Sequence, residues 1–269
     1  MPRFKLAIEY AGTRYSGWQI QKNARTVQGE IDRAVRAALA TDRFELCGSG
    51  RTDAGVHALC QIAHLDVATR TSPEALRRRL NDELPADIHV LDIETMTRRF
   101  HARHGAAARV YLYQIARRRT AFAKPFVWWV REPLDVEVMR QAAALFTGLQ
   151  DFRSFTDDEP EEKSTRVLLE RIEIAEADDL VLVRVRGSHF LWKMVRRLVG
   201  VLAEVGRGQL SLEEVRRFLA GPSGTPARLT APPSGLFLER VVYDDATPDP
   251  PIRPAFPVRR PQPSGGAGR

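Results

Sequence analysis

The stretch Gly48-Ser49-Gly50-Arg51-Thr52-Asp53-Ala54-Gly55-Val56-His57 sets a guanidinium and a carboxylate two residues apart among three glycines. Glycine permits tight turns and close backbone approach. Arg51 and Asp53 are therefore predicted to stand on a stiff, exposed loop between two strands. Carboxylates can act as covalent nucleophiles, so Asp53 is a candidate for chemistry. From residue types alone, the same stretch also reads as an Asp-anchored turn. It is not a phosphate loop, because the lysine and its spacing are missing, and it is not a dinucleotide fingerprint.

Basic charge is the second feature. From Arg98 to Arg119 there are seven arginines and no acidic residue, with His101 and His104 among them. Tyr111, Tyr113 and Ile115 share one face of the strand within this run. Guanidinium groups fork onto phosphate oxygens, and aromatic rings stack on unstacked bases. Together they suit single-stranded or flipped nucleotides. The alternative is a solvated arginine face over an aromatic core. Lys193, Arg196 and Arg197 form another basic group. Neighbours on a helix point about 100° apart, so one of the two arginines can face a cleft while the other faces water. The loop from Gly12 to Asn23 offers Arg14, Tyr15, Trp18 and Lys22, either as contact residues or as loop filling.

These side chains need a frame. Phe4, Leu6, Ile8 and Tyr10 alternate and predict a strand with one buried face. Apolar residues from Val27 to Leu39 recur at helical spacing. Strands are predicted over Phe44 to Gly50 and Leu59 to Val67. Ser72-Pro73 opens a second helix, which Leu84-Pro85 ends, and Ile88 to Ile93 follows as a strand. That order is the ferredoxin-like arrangement. The second half echoes it. It has a strand over Val110 to Ala116 and a helix over Val136 to Phe146. A hairpin joins Val167–Ala175 to Leu180–Arg186. A long helix runs from about Phe190 to Val205, a capped short helix starts at Ser211, and a strand spans Leu236 to Tyr243. The expected division is 1–95, a basic connection 96–108, 109–243, and a flexible tail 244–269. The tail carries seven prolines and a Ser-Gly-Gly-Ala-Gly run and is expected to build no packed core.

The net charge of +7 favours polyanions as partners. No apolar run approaches bilayer length, and the first ten residues lack a long apolar signal segment. A cytoplasmic location without membrane contact is expected. Cys47 and Cys60 make no CxxC pattern and read as buried thiols. No metal-ligand cluster is visible, and no cofactor is expected.

The Gly48–His57 stretch closely resembles the signature of the tRNA pseudouridine synthase A family. Further motifs run in order from about residue 4 to 243. Glu9-Tyr10-Ala11-Gly12-Thr13-Arg14-Tyr15-Ser16-Gly17-Trp18-Gln19 resembles the family's opening motif, which often has aspartate where this chain has Ala11. Leu80-Asn81 with Leu84-Pro85 resembles the end of its second helix. Phe100-His101-Ala102-Arg103 resembles its FHAR motif, and Arg109-Val110-Tyr111-Leu112-Tyr113 its YxY strand. Gly187 to Gly200 resembles its long-helix motif.

The resemblance implies an α+β fold of two ferredoxin-like halves. Their strands form one joined antiparallel sheet, with helices on one side and a central basic cleft. It implies isomerisation of uridine to pseudouridine at positions 38–40 of tRNA by a homodimer. Asp53, Tyr111 and Arg196 are the implied catalytic set. Arg51, Arg103, His101, Arg109, Arg14 and Lys193 are the implied substrate contacts. His57 is expected to be structural. Asp53 would attack C1′, abstract the 2′ proton, or attack C6 of the base. The rival readings are a non-catalytic RNA-binding protein and a synthase acting on another RNA.

Overall fold

The computed structural model describes residues 1–157, 164–244 and 248–259. The first half runs β1 (Arg3–Tyr10), α1 (Val27–Leu39), β2 (Phe44–Gly48), β3 (His57–Val67), α2 (Pro73–Glu83) and β4 (Ile88–Met96). The second runs β5 (Ala108–Ala116), β6 (Trp128–Trp129), α3 (Val136–Leu145), β7 (Gly148–Asp151), β8 (Arg166–Ala177), β9 (Leu180–Gly187), α4 (Met194–Gly206), α5 (Leu212–Ala220), α6 (Thr225–Arg228) and β10 (Leu236–Val242). No described helix is long and apolar enough to cross a membrane.

Local chemistry accounts for most boundaries. Thr26 caps α1 through the Gly29 N–H, and the helix ends at Ala40, whose φ is 48°. Ser72 caps α2 with Pro73 in its first turn, where the missing N–H costs nothing. Ser211 and Glu214 close a reciprocal capping box on α5. The helix expected from Phe190 starts only at Met194. Lys193 takes a left-handed backbone, φ 60°, immediately before it, which turns Phe190, Leu191 and Trp192 out of the helix. The strands β6 and β7 were not expected. They are two and four residues long, too short to show a period.

The ten strands form one sheet: eight lie in the order β4-β1-β3-β10-β5-β9-β8-β7, and off this path β2 pairs with β3 and β6 with β5. Each half has the ferredoxin-like order: β4-β1-β3-β2 in the first, and β10-β5-β9-β8 in the second. The sheet is mixed rather than purely antiparallel, because β10 joins β3 in parallel at Phe237↔His57 and Leu238↔Ala58, and β6 joins β5 in parallel. One edge of β3 is taken by β1 from Ala58 to Asp66. Its other edge is shared by β2, at Ala63–Val67, and β10. The chain from Ser49 to Val56 fills the fork between them.

Helices α1 to α5 bury their stripes in one large core together with Tyr111, Tyr113 and Ile115 of β5. The opposite face of the second half carries a smaller core of Leu112, Ala116, Leu180, Leu182, Phe237 and Val258. The proline-rich end was expected to be a free tail. Over residues 248–259 it packs instead. Val258 is 3% exposed, Ala255 and Phe256 donate their N–H groups to the Gln114 side chain, and Phe256 stacks on Phe126. Scattered apolar residues between prolines cover a sheet face without forming an element of their own. Residues 260–269 lie outside the described residues.

Candidate active site

The loop carrying Asp53 is braced at nearly every residue. Ser49 N–H donates to the Ile62 carbonyl at 2.7 Å, and Ser49 Oγ donates to Gln61 Oε1 at 2.6 Å. Gln61 Nε2 returns a bond to the Gly50 carbonyl. Thr52 meets the buried Tyr10 hydroxyl at 2.8 Å, and its carbonyl accepts from the Trp18 N–H. Gly55 donates to the Tyr15 carbonyl. The glycines divide the work differently from expectation. Gly55 has φ +79° and would drive a Cβ into Pro233. Gly50 faces open space, and Gly48 is small because the Trp18 indole lies against it. The facing Gly17 has φ +93° and approaches the Thr52 carbonyl.

Asp53 is brought to Arg196 across 143 residues, with Arg196 Nη1 donating to Oδ2 at 3.3 Å. Their side chains are 24% and 14% exposed, so the pair is partly desolvated yet open to a ligand. Arg196 Nε donates to the Ala231 carbonyl at 2.7 Å, and the Ala231 N–H returns to the Arg196 carbonyl. Held at both ends, the guanidinium can point only one way. The segment from Leu229 to Gly235 was not singled out from the sequence. It packs against Gly200 of α4 and Gly55 of the Asp53 loop, and its Pro232 carbonyl accepts the Tyr113 hydroxyl at 2.7 Å. Its only sequence signal is turn chemistry, Pro232-Pro233 and Gly235.

Tyr111 sits on the same wall, 9% exposed, with Phe190 edge-on at 5.0 Å. Burial pushes its phenol well above the ordinary tyrosine range, and the Tyr10 phenol and the Asp53 carboxylate add to that rise. The hydroxyl is therefore neutral at physiological pH. Tyr113, on the same strand face, is fully buried and structural.

The expected substrate contacts separate into two groups. Arg14, Arg51 and Arg103 are exposed. Arg51 is tethered only through Nε to Gln19, and among the described residues none of the three forms an ion pair. The others turn inward or are engaged. Arg109 donates to four backbone carbonyls. His101 Nδ1 accepts the Arg103 and His104 N–H groups, so it organises its own turn. Lys193 pairs with Asp157 at 2.9 Å and lies over Trp192. Of the adjacent arginines, one of which was expected to face water, neither does so freely: Arg197 is 3% exposed and pairs with Asp157. The basic run is also partly neutralised in space, because Arg117 meets Glu176 and Arg118 meets Asp179.

His57 is buried as a brace. Its Nδ1 accepts the Gly12 N–H at 3.0 Å, its Nε2 meets the Pro125 carbonyl, and its ring stacks on Phe237. Burial lowers its pKa, in keeping with a neutral ring. Cys47 and Cys60 are half-buried rather than buried. The fold gathers Cys47, His64 and His101 within 4.8 Å, a grouping invisible in sequence. Its tautomers do not suit a metal. Both imidazoles accept backbone N–H groups on Nδ1, which leaves their proton on Nε2, the remaining ligand atom. Burial, followed by nearby Arg3, also keeps His64 below the ordinary histidine range.

Comparison with known proteins bears on this geometry. A family model described as tRNA pseudouridine synthase matches residues 6–104 and 142–244. The chain is 41% identical over 251 residues to tRNA pseudouridine synthase A of Nitrobacter winogradskyi, covering 92% of this chain and 98% of the relative. Identity is 42% over 246 residues with the protein of the same name from Nitrobacter hamburgensis, covering 90% of this chain and all of the relative. With that of Aquifex aeolicus it is 39% over 244 residues, with 90% and full coverage. The chain belongs to the tRNA pseudouridine synthase family.

Proposed function

We propose that this tRNA pseudouridine synthase acts on uridines 38–40 of the anticodon arm, with Asp53 as its catalytic carboxylate. Membership of the family makes the chain an isomerase that converts uridine to pseudouridine in tRNA. The observation that carries the residue assignment is Asp53 itself. It is presented on a loop braced at nearly every residue, with one 3.3 Å bond from a guanidinium that is anchored elsewhere.

The chemistry follows from that arrangement. A base inside a helical stack is out of reach, so the target nucleotide must be flipped. Asp53 keeps lone pairs free after its bond to Arg196. One carboxylate oxygen can attack C1′ or take the 2′ proton while the C1′–N1 bond breaks. After attack, the electron pair of C1′–N1 leaves on the uracil, the base turns, and C5 attacks C1′ as the Asp53–C1′ bond breaks and frees the carboxylate. After 2′-proton abstraction, that proton returns to C2′ as C5 joins C1′. In both routes C5 loses one proton and N1 gains one, so atoms balance without a second substrate. Arg196 aims the carboxylate. Tyr111 offers a ring to the base and a neutral hydroxyl for hydrogen bonding, not a phenolate. Arg51, with its Nη groups unpaired among the described residues, is placed to fill the stack, and Arg103 and Arg14 to meet phosphates.

We further read the chain as two units, 1–95 and 109–243, joined by the basic segment 96–108. The working form is a cytoplasmic homodimer whose two copies share one tRNA. Breadth over three positions fits recognition through shape and backbone rather than base edges.

The test is tritium release from C5-labelled tRNA bearing uridine at position 39, with a matched tRNA carrying cytidine at 38–40 as control. Release from the first alone is expected. Release from the control sinks the anticodon-arm assignment, and wild-type release by Asp53→Asn sinks the role of Asp53.

A further inference from the structure

Arg109 lies two residues before Tyr111 on β5 and is half-buried. Its four Nη hydrogens all have acceptors. Nη1 donates to the Ala106 carbonyl at 3.2 Å and the Ser188 carbonyl at 3.0 Å. Nη2 donates to the Ser49 carbonyl at 3.0 Å and the Arg103 carbonyl at 2.8 Å. No carboxylate pairs with it among the described residues. The acceptors come from three places: the basic turn 103–106, the chain just after β9, and the first residue of the Asp53 loop. Arginine is the one side chain with enough donors, in a planar fork, to satisfy four converging carbonyls. Lysine has three donors on one atom. A bidentate phosphate contact takes two parallel N–H groups from such a fork, and only Nε is without an acceptor among the described residues.

We propose that Arg109 is a positioning residue, not a phosphate contact. It clamps the Asp53 loop to the strand that carries Tyr111, so that carboxylate and base platform hold a set separation. The proposal rests on the role of Asp53 given above. It also reassigns a residue that motif and charge place on the RNA surface. The clamp reaches the basic turn as well, since Arg103 offers its carbonyl inward while its side chain stays exposed.

Arg109→Lys and Arg109→Gln separate the two roles. For a clamp, the single-turnover rate on saturating tRNA falls at least about tenfold, while Kd changes less than about twofold. The slope of log Kd against log salt stays at the wild-type value. Loss of a phosphate contact in Arg109→Gln instead reduces that slope by about 0.7–0.9 and raises Kd with the rate unchanged, while charge-keeping Arg109→Lys would then retain both rate and slope; that pattern overturns the proposal. Should neither variant fold, wild type itself decides. Phenylglyoxal followed by peptide mass spectrometry should leave Arg109 unmodified both without and with tRNA, while Arg51 and Arg103 react and are protected by tRNA. Modification of Arg109 in the free protein, blocked by tRNA, sinks the clamp alone. An inactive wild type sinks the reading of Asp53 and the positioning role with it.

Discussion

Asp53 and Asp249 both face arginine, from surroundings that differ in almost every other respect. Asp249 is 3% exposed and meets Arg171 at 2.7 Å, Arg186 at 3.1 Å and Arg240. It pins the C-terminal segment to β8, β9 and β10. Asp53 is 24% exposed and has one longer bond. A carboxylate has about four lone-pair sites. Where a buried carboxylate has these filled by three cations, the group holds structure and has nothing left to offer. Where one cation aims it and the other sites stay open, it can react. The same ion-pair chemistry thus serves as a rivet in one region and as a presented nucleophile in the other.

The contrast can be broken by exchanging what each region loses. Asp53→Asn is expected to cut the single-turnover rate by at least about 10³-fold, with stability shifted by less than about 0.5 kcal/mol. Tritium release and urea melts check the two halves of that statement. Asp249→Asn should do the reverse, destabilising by about 1–2 kcal/mol because three partly buried to exposed guanidinium groups lose a shared carboxylate, while Arg186 keeps Glu170. Its turnover per folded molecule should stay within about threefold of wild type. A stable but inactive Asp249→Asn would collapse the distinction.

Smaller effects sharpen it. Arg196→Gln should lower the rate about 10²-fold, the size of losing one preorganised electrostatic partner, with tRNA affinity nearly kept. Tyr111→Phe keeps the ring and loses a neutral hydroxyl. About a tenfold rate loss is expected, equivalent to one hydrogen bond, with Kd unchanged. The smallest effect is pH-dependent. Burial holds His57, His64 and His101 below the ordinary histidine value of 6.5. The unfolded chain therefore binds more protons than the fold, and stability rises with pH through this window. It should be complete above about 6.5 and decline as pH falls below that value. Thermal melts between about pH 7.5 and 5.5 test the sign.

Much of the frame is legible because it is local. The alternation in β1, the helical spacing from Val27 to Leu39, the Ser72-Pro73 opening and the box at Ser211 each need only neighbouring residues. The Asp53 loop is legible for the same reason. Its identity is written in ten consecutive positions, although which glycine does what was not. Gly55 alone of the three takes a positive φ, and Gly48 is small for the sake of Trp18, thirty residues earlier in the chain. Charge was the least readable feature. Arg109 was assigned outward by residue type. Period 2 gives no help there, because β5 is buried on both faces and Arg109 is its one partly exposed residue; its four carbonyl partners come together only in the fold. The C-terminal segment failed for the opposite reason. It has no period at all, and its apolar residues acquire meaning only against a sheet face exposed by other strands.

By itself the sequence determined the two βαββαβ runs, the family and the loop that presents Asp53, because hydrophobic period, caps and turn chemistry act over a few residues. The motif also pointed to Arg196 as the partner of Asp53, but folding in three dimensions settled that Ala231 holds it there and that Arg109 and His101 are engaged by backbone groups. Folding also decided that residues 248–259 close the second face. Those outcomes depend on contacts between positions far apart in the chain, where a side chain's type says what it can bond to but not which partner the packed core will leave within reach.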